Sequence, residues 1–188
     1  RFRPHPLPAR NAPARPRGRA EWFRRILRGT FPPPIQQGEL MRYEWSSAVV
    51  DGFQVGETDF ASRLAEMDQS VRDALDANVL TPLANSPGGA MLVVIGHSAR
   101  HDAAATHQKS LVVESDASNG RAKSAQEAVL RMLGEKVGSD ASAWAEFPHL
   151  ETLMVACGAT NRVDESGTEE GRFLNRRVEL RVCRFLTD

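Results

Sequence analysis

The sequence predicts an α+β domain in which two helices pack on one face of a mixed four-stranded sheet. Three observations carry that expectation: period-2 apolar runs, helical runs with apolar residues three and four apart, and their alternation along the chain. The order read from them is β-α-β-α-β-β. An extended basic arm precedes the domain. Residues 1–34 hold nine arginines against the single acid Glu21, and eight of the eleven prolines. The remainder carries a compensating acidic surplus, so the net charge of zero hides a basic arm on an acidic domain.

Proline at that density removes backbone donors and disfavours helix, so 1–18 is expected to be extended or disordered. Arg19 to Arg28 could form a short amphipathic helix with Trp22, Phe23, Ile26 and Leu27 on one side. Such a helix suits an anionic membrane surface, a groove on a partner, or the chain's own domain. Pro32-Pro33-Pro34 stiffens the junction, 35–46 reads as a linker, and 47–188 as the folded domain.

Within the domain, Ser47 to Val55 reads as the first strand through Val49, Val50, Phe53 and Val55. Thr58 or Asp59 can cap a helix carrying Phe60, Leu64, Met67, Val71, Leu75 and Val79. Pro82 to Gly89 is a loop, and Met91 to Ile95 a buried second strand ending at Gly96-His97-Ser98. Ala99 to Gly120 reads as a long polar connection, functional or mobile. Arg121 to Val137 is the second helix, Leu150 to Ala156 the third strand and Arg177 to Phe185 the fourth.

No apolar run reaches the roughly 20 residues a membrane helix requires. A leader or anchor is expected to precede Arg1 in the natural protein. Cys157 and Cys183 lie in or beside strands and read as buried thiols rather than a bridge. No cysteine-histidine cluster has metal-ligand spacing, and no cofactor motif is present.

The segment Glu169 to Val182 joins an acidic, glycine-broken turn to clustered arginines and an alternating strand. Planar guanidinium groups there suit a carboxylate, because each can donate two parallel hydrogen bonds. The competing reading is an edge strand kept soluble by arginine.

Three stretches resemble the OmpA-like (OmpA/MotB C-terminal) peptidoglycan-binding family over about 47–185. Gly96-His97-Ser98 resembles its Gly-His-Thr/Ser-Asp turn. Ser118-Asn119-Gly120-Arg121-Ala122 resembles its Leu-Ser-x-x-Arg-Ala, which opens the second helix. Thr168 to Glu179 resembles Thr-x-x-Gly-Arg-x-x-Asn-Arg-Arg-Val-Glu. The resemblance implies a non-catalytic envelope module that binds the diaminopimelate stem peptide of peptidoglycan. It implies a periplasmic location. The basic arm, which the resemblance does not cover, is expected from its own composition to meet an envelope complex or an anionic membrane surface.

By resemblance the ligand-binding residues are Arg121 and Arg176, with Ser98, Asp102 and Arg172 beside them. At a helix N-terminus, Arg121 would add the helix dipole to its own charge. The family's aspartate falls on Ala99, followed by Arg100, so the ligand's ammonium loses its acceptor. Asp102 could swing into that role, with Asp116 a poorer substitute. The family's proline before the last strand is replaced near Arg162.

The alternative is a degenerate OmpA-like domain serving as a structural or interaction subunit without wall binding. His97 reads as a structural histidine, since no nucleophile or paired carboxylates accompany it. Arg/Pro composition gives at best nonspecific, salt-sensitive nucleic-acid affinity, opposed by the acidic domain, so no nucleic-acid partner is expected.

Overall fold

The structure is a computed structural model that describes residues 42–86, 88–100, 107–140 and 143–186. The basic arm and Asp102 lie outside the described residues. Four strands form one mixed sheet: β1 (Arg42–Val50), β2 (Ala90–Gly96), β3 (Leu150–Ala156) and β4 (Val178–Leu186). Their spatial order is β1-β4-β2-β3. β4 runs antiparallel to both β1 and β2, while β2 and β3 are parallel.

The expected fold class holds. β3 occupies the expected residues, and β2 and β4 differ from expectation by a residue at each end. β1 begins at Arg42, ahead of Ser47, and stops at Val50. Phe53 and Val55 lie beyond it, because Gly52 takes φ +73° and turns the chain out of the strand.

The first helical region is interrupted. Asp59 caps α1 (Phe60–Glu66) by accepting from the backbone N–H groups of Ala61 and Ser62 at 3.0 and 3.2 Å. The chain breaks at Met67 and restarts as α2 (Gln69–Leu75). Arg72 satisfies the freed end of α1, donating to the carbonyls of Ala65 at 3.3 Å and Met67. A π-helical turn, Asp76–Leu80, leads into α3 (Thr81–Ala84), with Pro82 in its first turn. The expected loop therefore starts only after Ala84.

The largest departure is α4, which spans His107–Val137. The latter part of the expected connection is helical, and Arg121 lies mid-helix, away from the helix N-terminus and its dipole. Two glycines explain how the segment packs. A Cβ on Gly96 would overlap the Ser118 carbonyl, and one on Gly120 would sit 2.8 Å from Thr58 Cγ2. Bare backbone at both positions lets the end of β2 and the loop before α1 approach α4 closely. Ser110, Glu114, Ser118, Arg121 and Ala122 begin the buried stripe of the helix, which continues through Ala125, Ala128, Val129 and Leu133.

The acidic segment before β4 is α5 (Glu169–Asn175) rather than a turn. Thr168 caps it by accepting from Gly171 N–H at 3.1 Å. The element order is thus β-α-β-α-β-α-β. α2 to α4 cover one sheet face, enclosing Val50, Phe60, Val79, Leu92, Val94, Val129, Leu133 and Leu180. Cys183 is buried and Cys157 half-buried, and both are free thiols. Among the described residues, no helix is long and apolar enough to cross a membrane.

Candidate functional site

The ends of three neighbouring strands, β1, β4 and β2, meet at one pole: Val50 and Gly96 both pair with Val178. The segments continuing from those ends carry Phe53 to Glu57, His97 and Ser98, and Arg176. Arg121 reaches the same place from the middle of α4. Its Nε donates to the Glu57 carbonyl at 2.9 Å, Nη1 to the His97 carbonyl at 2.9 Å, and Nη2 to the Gln54 carbonyl at 3.4 Å. The guanidinium also lies over the Phe53 ring, 5.3 Å from its centroid.

Arg121 is 1% exposed, and among the described residues no carboxylate forms an ion pair with it. Burial and then the nearby Arg176 guanidinium lower its pKa to about 10, against an upward pull from Glu57. It stays charged at neutral pH. Three carbonyls take part of its donor fork, and two N–H positions remain by its chemistry.

Arg176 follows α5 as its C-cap residue and is 5% exposed. Its carbonyl accepts from Phe53 N–H at 3.2 Å, and its Nη2 pairs with Glu169. That hydrogen bond, with the charge of Arg176, holds the Glu169 carboxyl below the usual range. Among the described residues, the buried Arg176 Nε has no partner. Ser98 is equally placed: its N–H donates to the Gly158 carbonyl at 2.8 Å, while its buried Oγ has no partner among the described residues. A buried polar group without a partner is costly and uncommon, which sets these two atoms apart.

His97 is fully buried beside them. Its N–H donates to the Arg177 carbonyl at 2.9 Å. Its Nε2 lies 3.3 Å from Glu179 Oε1, yet the pair does not meet hydrogen-bond geometry, and among the described residues both ring nitrogens lack a partner. Glu179 is committed elsewhere, accepting from Arg177 Nη2 and Arg181 Nη2, both at 2.7 Å. Burial pushes its carboxyl up, but those hydrogen bonds and the neighbouring cations outweigh it and leave the pKa lowered. Burial, followed by the charges of Arg177 and Arg181, lowers the His97 pKa to about 4 despite Glu179. The imidazole is therefore neutral at neutral pH.

Of the residues expected from sequence, the structure gathers Arg121, Arg176 and Ser98 at this pole. Arg172 lies half-buried on α5, and its carbonyl accepts from Arg176 N–H at 3.1 Å. Ala99 is half-buried and Arg100 exposed. Asp116 is exposed on α4. Sequence reasoning missed Phe53, Gln54 and Glu57, which surround Arg121. Two of them contribute backbone carbonyls, which leave no side-chain signature.

The α+β architecture, a mixed four-stranded sheet with several helices, matches an OmpA-like fold. No family model matches the chain, and no curated protein matches it. Among solved structures, the cell wall anchor of the T6SS from Pseudomonas aeruginosa is similar at 23% identity and TM-score 0.36, covering 78% of this chain and 88% of that one. The periplasmic domain of Helicobacter pylori MotB is similar at 17% identity and TM-score 0.42, covering 77% and 87%. The peptidoglycan-associated lipoprotein from Burkholderia pseudomallei is similar at 15% identity and TM-score 0.39, covering 75% and 90%.

Proposed function

We propose that the domain is a non-catalytic module of the cell envelope that binds peptidoglycan through the carboxylate end of its diaminopimelate stem peptide. The observation that carries this reading is the buried pair Arg121 and Arg176, with the unsatisfied Ser98 Oγ and Arg176 Nε beside it. Two nearby cations favour an anion, and the unused donors give it direction. Arg121 and Arg176 hold the carboxylate, Ser98 and Arg172 line the approach, and Asp102 belongs to the segment after Ala99. The basic arm meets an envelope complex or an anionic membrane surface.

The test is co-sedimentation with purified sacculi, comparing wild type with Arg176→Gln. A melting curve of each protein establishes that both are folded. Loss of pelleting in the folded variant is expected. Equal pelleting of the two, or no pelleting of wild type, overturns the reading.

One observation favours a second reading, a structural subunit that has lost wall binding. The Arg121 guanidinium already donates to three backbone carbonyls and so serves the fold without any ligand. Under that reading wild type does not pellet, and assembly depends on residues 1–34.

A further inference from the structure

A stem peptide ending in diaminopimelate presents an ammonium beside its carboxylate, and Ala99 offers that ammonium only a methyl group. We propose that Glu57, on the loop between β1 and α1, is the acceptor that selects the ammonium. The inference rests on the stem-peptide reading above and assigns a specificity-determining residue within it.

The geometry starts from the loop. Glu57 O accepts from Arg121 Nε at 2.9 Å, and Gln54 O accepts from Arg121 Nη2 at 3.4 Å, so both ends of the turn are fixed to one guanidinium. Glu57 N–H donates to Gln54 O at 3.1 Å. Thr58, the next residue, packs against Gly120 on α4, adjacent to Arg121. The Glu57 carboxylate is then held by one bond, accepting from Gln54 N–H on Oε2 at 2.5 Å. Its Oε1 has no hydrogen-bond partner among the described residues.

Three other carboxylates of this region are engaged by side chains. Glu169 is taken by Arg176, Glu179 by Arg177 and Arg181, and Glu114 accepts from Ser110 Oγ at 2.8 Å. Glu57 combines spare acceptor capacity on a half-buried side chain with a backbone tied directly to Arg121. It forms no direct ion pair with Arg121, yet its charge raises the pKa of that guanidinium against the effect of burial. This separation suits a zwitterion. An acid and a base in contact spend part of their hydrogen-bonding capacity on each other, whereas a pair set apart can address both charged groups of one amino-acid end.

Binding is measured by calorimetry with three probes: a tripeptide ending in meso-diaminopimelate, the same peptide N-acetylated on the terminal amine, and the same peptide amidated on the terminal carboxylate. Wild type is expected to bind the free tripeptide roughly tenfold more tightly than the acetylated one. Glu57→Gln keeps an oxygen for Gln54 N–H and is expected to bind those two peptides equally. It should still discriminate against the amidated peptide, which shows that the arginine half of the pocket is intact. If Glu57→Gln retains the wild-type preference for the free amine, Glu57 is not the acceptor. If wild type binds none of the probes, the stem-peptide reading falls and this inference falls with it.

Discussion

Arg121 Nη1 donates to the His97 carbonyl at 2.9 Å, joining the middle of α4 to the chain just beyond β2. The same guanidinium also ties down the loop after β1, through Gln54 and Glu57. One side chain thus holds three segments that are distant in sequence.

Replacing it should therefore unfold the pole as well as remove a charge. Arg121→Met leaves three carbonyls without that donor, and should cost roughly 3–5 kcal/mol in urea denaturation. Arg121→Lys keeps the charge but lacks the planar fork, so it should recover only part of the loss. A binding defect in either variant needs a stability measurement beside it.

Gly96 and Gly120 should respond differently to alanine. At Gly96 the new methyl meets the Ser118 backbone carbonyl, which cannot move without shifting α4. Gly96→Ala should lower stability by about 2–4 kcal/mol. At Gly120 the obstacle is the Thr58 side chain, and alanine adds up to about 1 kcal/mol of helix propensity. Gly120→Ala should then melt within a few degrees of wild type.

The buried, neutral His97 predicts acid sensitivity at mildly acidic pH. Its folded pKa, about 4, lies below the ordinary value of 6.5. The unfolded chain consequently binds the proton first as pH falls. The associated stability is fully present above pH 6.5, and is lost progressively down to about pH 4. The loss is on the order of 3 kcal/mol. Denaturation of wild type and His97→Gln across that range should show the slope in wild type alone. Parallel curves would show that His97 is not its source.

The strands were largely legible because β2, β3 and β4 announce themselves through β-branched runs and alternation. Leu92 and Val94 sit fully buried at alternate positions, as the sequence implies. The first half of α4 was not legible. Its sequence mixes Ser, Asp, Asn and Gly with exposed Leu111, Val112 and Val113, and so has no clean apolar stripe. The buried face there is made of Ser110, Glu114 and Ser118, and tertiary packing overrides local propensity. α5 was obscured by Gly171, which reads as a turn signal.

The site was half legible. Arg121 and Arg176 could be found from the resembling stretches, because their side chains are the signal. The surroundings of Arg121 could not, since a carbonyl partner leaves the identity of its residue free. Glu57 gave no sign either, lying in a loop remote in sequence from both arginines.

The strand register has a mechanical consequence. The chain enters the sheet at Arg42, opposite Leu186, whereas the candidate pocket lies beyond the far end, where Val50 faces Val178. A load entering at Arg42 and leaving through a ligand in that pocket runs along β1 rather than across it. The nine residue pairs joining β1 to β4 would be pulled in shear, so their hydrogen bonds resist together instead of parting one by one.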